Sequence, residues 1–356
     1  MEDLIDPESL HSKTGFKTIQ LIGRLVIILI IRFWKACSIG LLLVFLLFWL
    51  YGGIATMLLL TCAFVGAFYH YQDALLYFPD QPENSRIYVQ SPRLLGVPYE
   101  NLHIQTRDSV SLNAIFLKQP SNRLSIAPTI VMYHGNAGNI GHRLSNAFLL
   151  YTYTGSNVFL LEYRGYGKSE GSPSEKGFEL DGVASLEYLL SRPDIDHQKL
   201  ILYGRSLGGA VAFNIAALEQ YTNFLFAVIV ENTFTSIPEI SKYLFKYLKG
   251  LPEWCYKNKF LSINRVRLIT TPTLFLSGLS DQLVPPNHML KLYNTSESDM
   301  KRMETFESGT HNETWQCQGY TEAINRFLND VYSAHQEGRL PRTEKKRRKT
   351  NDLIDI

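Results

Sequence analysis

Lys199-Leu200-Ile201-Leu202-Tyr203-Gly204-Arg205-Ser206-Leu207-Gly208-Gly209-Ala210-Val211 decides what this chain can be. A short aliphatic run ends at Gly204. A run of helical character follows Ser206, with Ala210, Val211, Ala212, Ile215 and Ala216 as its apolar positions. G-x-S-x-G lies between them, in the strand–turn–helix context that a nucleophile elbow requires. Such a turn is tight enough to strain the serine backbone. It also brings the residues two before and two after so close that only glycine fits; Gly204 and Gly208 stand there. The turn lifts the Ser206 hydroxyl clear of the sheet and puts the Leu207 N–H at a helix start, facing a developing oxyanion. A bare G-x-S-x-G also arises by chance, as a glycine-rich loop between a strand and a helix. An acid and a histidine must follow in order for the catalytic reading to hold.

Other apolar runs place this stretch in a larger pattern. Residues 129–133, 157–163, 200–203, 226–230 and 272–277 are near-continuous apolar segments, the mark of strands covered on both faces. Helical patterns at 143–151, 177–190 and 208–220 separate most of them, so the expectation is a parallel α/β sheet. Residues 100–106 and 110–118 alternate and read as an antiparallel hairpin around Arg107-Asp108-Ser109. Residues 231–268 break the alternation. They hold an expected helix at 238–249 and then Leu251-Pro252-Glu253-Trp254-Cys255-Tyr256, an aromatic insertion suited to a cap over the site or to a long crossover.

Acid and base candidates follow Ser206 in sequence. Asp281 sits in a loop opened by Gly278 after the 272–277 strand, and His311 sits in Ser308-Gly309-Thr310-His311-Asn312. His311 would take the Ser206 proton as general base; Asp281 would fix the imidazole tautomer and stabilise the imidazolium. Glu231, after the 226–230 strand, is the rival acid. Tyr133-His134-Gly135-Asn136-Ala137-Gly138-Asn139 follows the first parallel strand, and the Asn136 backbone N–H is the expected partner of Leu207 in an oxyanion hole. His134 is expected to brace that loop. The glycines match neither G-x-G-x-x-G nor G-x-x-x-x-G-K-[ST], which argues against phosphate cradling. No Cys/His cluster has metal-ligand spacing, so no metal or cofactor is implied.

The chain has 356 residues, 46% of them apolar and 19% charged, with a formal net charge of +2; this charge gives no case for nucleic acid. The apolar excess concentrates near the N-terminus. Residues 37–68 contain no charged side chain, more than the about 20 residues a bilayer-spanning helix needs. Lys13, Lys17, Arg24, Arg32 and Lys35 precede this run, while Asp73, Asp80 and Glu83 follow it, so the positive-inside rule puts the N-terminus in the cytosol. One crossing is expected, with the large C-terminal part lumenal or extracellular. A hairpin, or a bend at Gly52-Gly53, is the alternative. In the hairpin, Arg32 and Lys35 in mid-membrane would cost about 2.5–3.5 kcal/mol each. A lumenal location would permit a disulfide between Cys255 and Cys317 and a glycan at Asn294. The sequon at Asn312 adjoins His311, where a glycan would crowd the site; chance is its better reading.

Taken together, Tyr133-His134-Gly135-Asn136-Ala137-Gly138-Asn139-Ile140-Gly141, Tyr163-Arg164-Gly165-Tyr166-Gly167-Lys168-Ser169, Gly204-Arg205-Ser206-Leu207-Gly208-Gly209, Gly278-Leu279-Ser280-Asp281 and Gly309-Thr310-His311-Asn312 resemble the serine hydrolases of the α/β-hydrolase superfamily. The resemblance covers about residues 71–332. It implies an α/β-hydrolase fold: a mostly parallel central sheet flanked by helices, with a small cap insertion, preceded by an N-terminal transmembrane helix. The expected organisation is a cytosolic segment at 1–36, an anchor at 37–68, a linker at 69–98, the hydrolase domain at 99–336 with its cap at 231–268, and a basic disordered tail at 337–356. It implies a Ser206–Asp281–His311 triad in a single-pass type II membrane protein. The expected activity is cleavage of an acyl ester or thioester of a lipid or acylated substrate; no protein partner is readable. A catalytically idle binding or scaffold protein and an amide or peptide hydrolase remain the alternatives.

Overall fold

The computed structural model of the chain describes residues 34–36 and 38–340. The N-terminal segment before Trp34 and the tail from Pro341, where most of the expected cytosolic segment and basic tail fall, lie outside the described residues. The chain divides into two compact units, Met1–His70 and Tyr71–Ile356.

Helix α1 (Trp34–Tyr51) and helix α2 (Gly53–Leu76), whose last turns from Tyr71 belong to the second unit, are each long and apolar enough to cross a bilayer, by length and composition. Within the stretch expected as the anchor, 37–68, Gly52 separates the two helices. Gly52 adopts φ +80, a left-handed backbone that glycine reaches at little cost. Adjacent glycines are also poor helix formers, so the break falls where propagation is weakest. The Thr56 hydroxyl donates to the Gly52 carbonyl (3.0 Å), closing the first turn of α2. Val44 and Phe48 of α1 and Met57 and Thr61 of α2 line one apolar cavity of about 770 Å³. Helix α2 runs on to Leu76, taking up residues expected in the linker.

The second unit is built on one eight-stranded sheet. Its strands are β1 (Tyr99–Gln105), β2 (Ser111–Leu117), β3 (Thr129–Tyr133), β4 (Asn157–Leu161), β5 (Leu200–Arg205), β6 (Leu225–Glu231), β7 (Thr273–Gly278) and β8 (Lys301–Phe306). Their spatial order is β1-β2-β4-β3-β5-β6-β7-β8. The β1–β2 and β2–β4 pairs are antiparallel and all others parallel. The hairpin turns through Ser109 at φ +63.

Side chains alternate across the central strands into two cores. Val131, Tyr133, Phe159, Leu202 and Val230 face one side. There they pack with helices α4 (Glu175–Ser191) and α5 (Leu207–Ala216), as the sequence of crossovers demands. Ile130, Met132, Leu160, Ile201 and Leu276 face the other. They pack with α3 (Leu144–Thr154) and the C-terminal helix α8 (Tyr320–Gln336). Helix α4 starts where the Ser174 hydroxyl accepts the Gly177 N–H (3.0 Å), an N-cap two residues earlier than apolar periodicity alone suggests. Between β6 and β7 the chain makes its long excursion. Helix α6 (Ile237–Leu244), shorter than the 238–249 expected, exposes Tyr243, and the short turns after it leave Tyr247 and Trp254 exposed. Helix α7 (Pro286–Thr295) joins β7 to β8.

A buried polar contact ties sheet to helix. Tyr203 of β5 and Tyr320 of α8 both donate their hydroxyls to Glu231 Oε2, at 2.5 and 2.6 Å. Burial, with the Glu231 carboxylate adding to it, pushes both phenols well above their ordinary range. Removing one donor leaves a fully buried carboxylate short of partners. Tyr320→Phe is therefore expected to lower the unfolding free energy by about 1–3 kcal/mol, read by urea denaturation.

Candidate active site

Ser206 stands between β5 and α5 with φ +55 and ψ −120, a strained conformation for a residue with a β-carbon. The contacts around it explain why the sequence reads G-x-S-x-G. A β-carbon on Gly204 would lie 2.1 Å from the Gly208 carbonyl oxygen, and one on Gly208 would lie 2.0 Å from the Tyr133 carbonyl oxygen. Real β-carbons do not approach backbone so closely, so both positions need glycine. The Ser206 backbone is held from both sides: its N–H donates to the Glu231 carbonyl (2.9 Å), and its carbonyl accepts the Thr233 hydroxyl (2.7 Å).

The other two expected site residues converge on it from the ends of neighbouring strands. Asp281 lies in the loop after β7, and His311 in the loop after β8. His311 Nε2 is 3.0 Å from Ser206 Oγ, and His311 Nδ1 is 2.7 Å from Asp281 Oδ2. Asp281 Oδ1 accepts the Leu283 and Val284 N–H groups, each at 2.9 Å, which fixes the carboxylate plane. Asp281 and Ser206 are buried, at 6% and 8% exposure, so this chain of contacts is little competed for by water. Glu231, the rival acid, is spent on Tyr203 and Tyr320, while Asp281 holds His311 Nδ1.

The loop after β3 lies against Ser206. A β-carbon built on Gly135 would be 3.7 Å from Ser206 Cβ. The Asn136 carbonyl accepts the Tyr166 hydroxyl (2.8 Å), and its side-chain Oδ1 lies 3.0 Å from the same hydroxyl. These bonds hold the loop and leave the Asn136 N–H uncommitted. Among the described residues, neither this N–H nor that of Leu207, at the first position of α5, finds an acceptor. His134 is buried against Tyr163 and Tyr166 at ring-centroid distances of 4.3 and 5.2 Å, and its Nδ1 sits 2.7 Å from the Gly135 carbonyl. These contacts fit the bracing role expected for it.

Asn232 is a site residue that motif reading passed over. It adopts φ +46, its Nδ2 donates to the Thr310 carbonyl (3.1 Å) and Thr314 Oγ1 (3.0 Å), and its Oδ1 accepts the Gly278 N–H (2.8 Å). One side chain thus joins the loop of His311 to the strand that presents Asp281. Its signal was an asparagine ending an apolar strand, a residue type that tolerates positive φ.

Cys255 and Cys317 are both free, so the disulfide that a lumenal site would permit is not formed. Asn294 is exposed on α7. Asn312 is exposed beside His311, and its carbonyl accepts from Arg205 and Trp315. Among the described residues, no group of three or more His, Cys, Asp or Glu side chains could hold a metal ion.

Residues 128–254 match the family description of the alpha/beta hydrolase fold. Protein bem46 of Schizosaccharomyces pombe is 39% identical over 284 residues, covering 79% of this chain and 94% of that protein. The chain belongs to the α/β-hydrolase family. The alpha/beta hydrolase domain-containing protein WAV2 of Arabidopsis thaliana is 37% identical, covering 79% of this chain and 93% of that one. An uncharacterized membrane protein of Saccharomyces cerevisiae is 40% identical over 76% of this chain and 93% of its own length. Among solved structures, an esterase of Pyrococcus furiosus superposes with a TM-score of 0.56 at 19% identity, over 68% of this chain and 96% of that one. That likeness is one of fold.

Gly208→Ala drives a β-carbon into the Tyr133 carbonyl, a backbone atom that cannot step aside. The expected cost is about 3 kcal/mol or more of unfolding free energy, measured by chemical denaturation of the detergent-solubilised chain. Ala substitution at Gly250, where nothing lies within 4 Å, serves as the neutral control.

Proposed function

We propose that this chain is a membrane-anchored serine hydrolase that cleaves an acyl ester or thioester through an acyl-enzyme. The observation that carries the reading is the unbroken line from Asp281 Oδ2 through His311 to Ser206 Oγ, at 2.7 and 3.0 Å, on a strained elbow. His311 accepts the Ser206 proton as Oγ attacks the acyl carbon, and Asp281 stabilises the imidazolium that forms. The Leu207 and Asn136 N–H groups take the oxyanion, aided by the positive end of α5. His311 then protonates the leaving alcohol or thiol. Water, activated by the same imidazole, attacks the acyl-Ser206 carbonyl, releases the acid and restores the serine. Solved relatives by fold are named as esterases, among them the Pyrococcus furiosus protein and an acetyl xylan esterase from Paenibacillus, which supports ester chemistry here.

A lipid or acylated substrate at a membrane suits the remaining features. A similar yeast protein is called a membrane protein, and α1 and α2 supply the apolar length. In the excursion after β6, Tyr247 and Trp254 are 77% and 71% exposed, the aromatic character favoured at a membrane interface. Residues 72 and 73, which end the apolar stretch, bind that excursion: Gln72 Nε2 donates to the Cys255 carbonyl (2.6 Å), and Asn258 Nδ2 donates to Asp73 Oδ1 (2.6 Å). The excursion is therefore a candidate cap, braced by residues 72 and 73.

Hydrolysis of p-nitrophenyl butyrate and of a longer acyl thioester series tests the activity. Ser206→Ala and His311→Ala are expected to lower kcat at least about 10³-fold, and Asp281→Asn about 10⁴-fold through the wrong tautomer. A folded parent inert across the whole series would favour an idle binding protein instead.

Flanking charges favour one crossing, with the hydrolase unit lumenal or extracellular. The break at Gly52 allows two crossings instead, which would return this unit to the N-terminal side. The two give opposite results in sealed vesicles. A glycosidase-sensitive mass shift lost in Asn294→Gln supports the single crossing. Protease cleavage of the hydrolase unit from the cytosolic side supports the hairpin.

A further inference from the structure

A cavity of about 230 Å³, several times the about 30 Å³ share of one water, opens among the loops that follow β3 and β8 and the end of β5. Its wall includes Arg205, the residue before Ser206, and Asn312, the residue after His311. Arg143, His142, Asn146 and Trp315 complete the side that concerns us. Arg205 is only 6% exposed. It donates from one Nη to the Asn312 carbonyl (3.0 Å), and Arg143 donates from one Nη to the Ala137 carbonyl (2.6 Å). A guanidinium carries five N–H donors, so most of this capacity is unspent.

Neither arginine makes a contact ion pair, although the Glu162 and Glu231 carboxylates act on Arg143 from further off. Among the described residues, no carboxylate oxygen lies within 4.0 Å of either guanidinium. The comparison with Arg164 is telling, since it is equally buried at 6% and is paired with both Asp108 (2.7 Å) and Asp181 (2.8 Å). Arg205 is buried and Arg143 half-buried; a buried charge without a contact partner is costly, and removing water from it is not repaid by carbonyls alone. Burial, and after it the like charge of Arg205, pushes Arg143 down to about 9 against the opposing pull of Glu162 and Glu231, still protonated at neutral pH. Arg143 Nε and Asn146 Oδ1 are buried with no hydrogen-bond partner. Turning the Asn146 amide over would present a donor in place of that oxygen, because such assignments follow the network around them. His142 Nδ1 accepts the Asn139 N–H (3.1 Å), which leaves Nε2 as its N–H donor. Glu313 also lines the cavity, but it is exposed and accepts from the Thr310 hydroxyl (3.2 Å).

We propose that this cavity is an anion subsite, in which Arg143 and Arg205 hold a carboxylate or phosphate carried by the substrate close to its scissile acyl bond. The assignment of the anion to substrate rests on the hydrolase reading of Ser206; the anion site itself does not. Two guanidinium forks converging on one small cavity match the planar or tetrahedral oxygens of such a group. Arg205 precedes Ser206 and Asn312 follows His311, so an anion held here is carried on the same chain segments as the candidate nucleophile and base. The substrate class is thus an ester or thioester with an anionic substituent rather than a neutral acyl glyceride.

Calorimetric titration of inorganic phosphate into the full-length, detergent-solubilised Ser206→Ala protein tests the site without turnover. Saturable binding is expected. It should weaken at least tenfold when Arg143→Gln or Arg205→Gln is added, with Arg143→Lys retaining part of it. Each variant must keep the parent's thermal transition. With active protein, the ratio of kcat/KM for p-nitrophenyl hemisuccinate to that for p-nitrophenyl butyrate should fall at least tenfold in Arg205→Gln, and phosphate should compete with the hemisuccinate. No binding of phosphate or succinate by the folded protein, or equal binding by the arginine variants, overturns the site. Phosphate binding with an unchanged ester ratio overturns the substrate assignment and leaves a free anion as the ligand. Phosphate binding without turnover of any ester sinks the hydrolase reading while supporting the site.

Discussion

Ser206 is held at φ +55 by a turn in which backbone meets backbone with no room for a β-carbon on either side. Strain of this kind costs of order 1–3 kcal/mol and persists only when the surroundings over-determine it. Here they do. The Tyr133 carbonyl closes against Gly208, Gly208 closes against Gly204, and the Glu231 and Thr233 positions of the next strand grip the Ser206 amide and carbonyl. Everything the site does follows from where that turn puts one hydroxyl and one N–H.

The scaffold around the turn keeps its partners in register with it. Parallel strands β5, β6, β7 and β8 lie side by side, so the loops leaving β5, β7 and β8 open at the same edge of the sheet. Asn232, at the end of β6, then cross-links the β7 strand end to the His311 loop. Glu231, beside it, is directed the other way, to Tyr203 and Tyr320. Two adjacent polar residues at one strand end therefore serve opposite faces, one the site and the other the packing of α8 on the sheet. The same economy appears at Arg205, whose backbone ends β5 just before Ser206 and whose side chain lines a separate cavity.

The sequence made some of this legible for physical reasons. Strands β3 to β7 are buried on both faces and so appear as apolar runs, and the order Ser206, Asp281, His311 could be read from glycine-marked loops between them. Strand β8 could not. Lys-Arg-Met-Glu-Thr-Phe is an edge strand with mostly half-exposed side chains, so it carries no apolar run. The division of the apolar segment at Gly52 was open to either reading, because hydropathy reports length and says little about where a helix bends. The free state of Cys255 and Cys317 depends on three-dimensional placement that spacing does not encode. Asn232 and the unpaired Arg205 carry no motif; their roles come from what surrounds them in the fold.

The account stands or falls on whether Ser206 is activated by its surroundings. The most direct measurement is peptide mapping by mass spectrometry after exposure of the detergent-solubilised chain to a fluorophosphonate. The account expects a single phosphonyl adduct on the peptide containing Ser206, formed at a rate that collapses in His311→Ala. An unmodified Ser206 in the folded protein, or an adduct on another residue that survives Ser206→Ala, would contradict it.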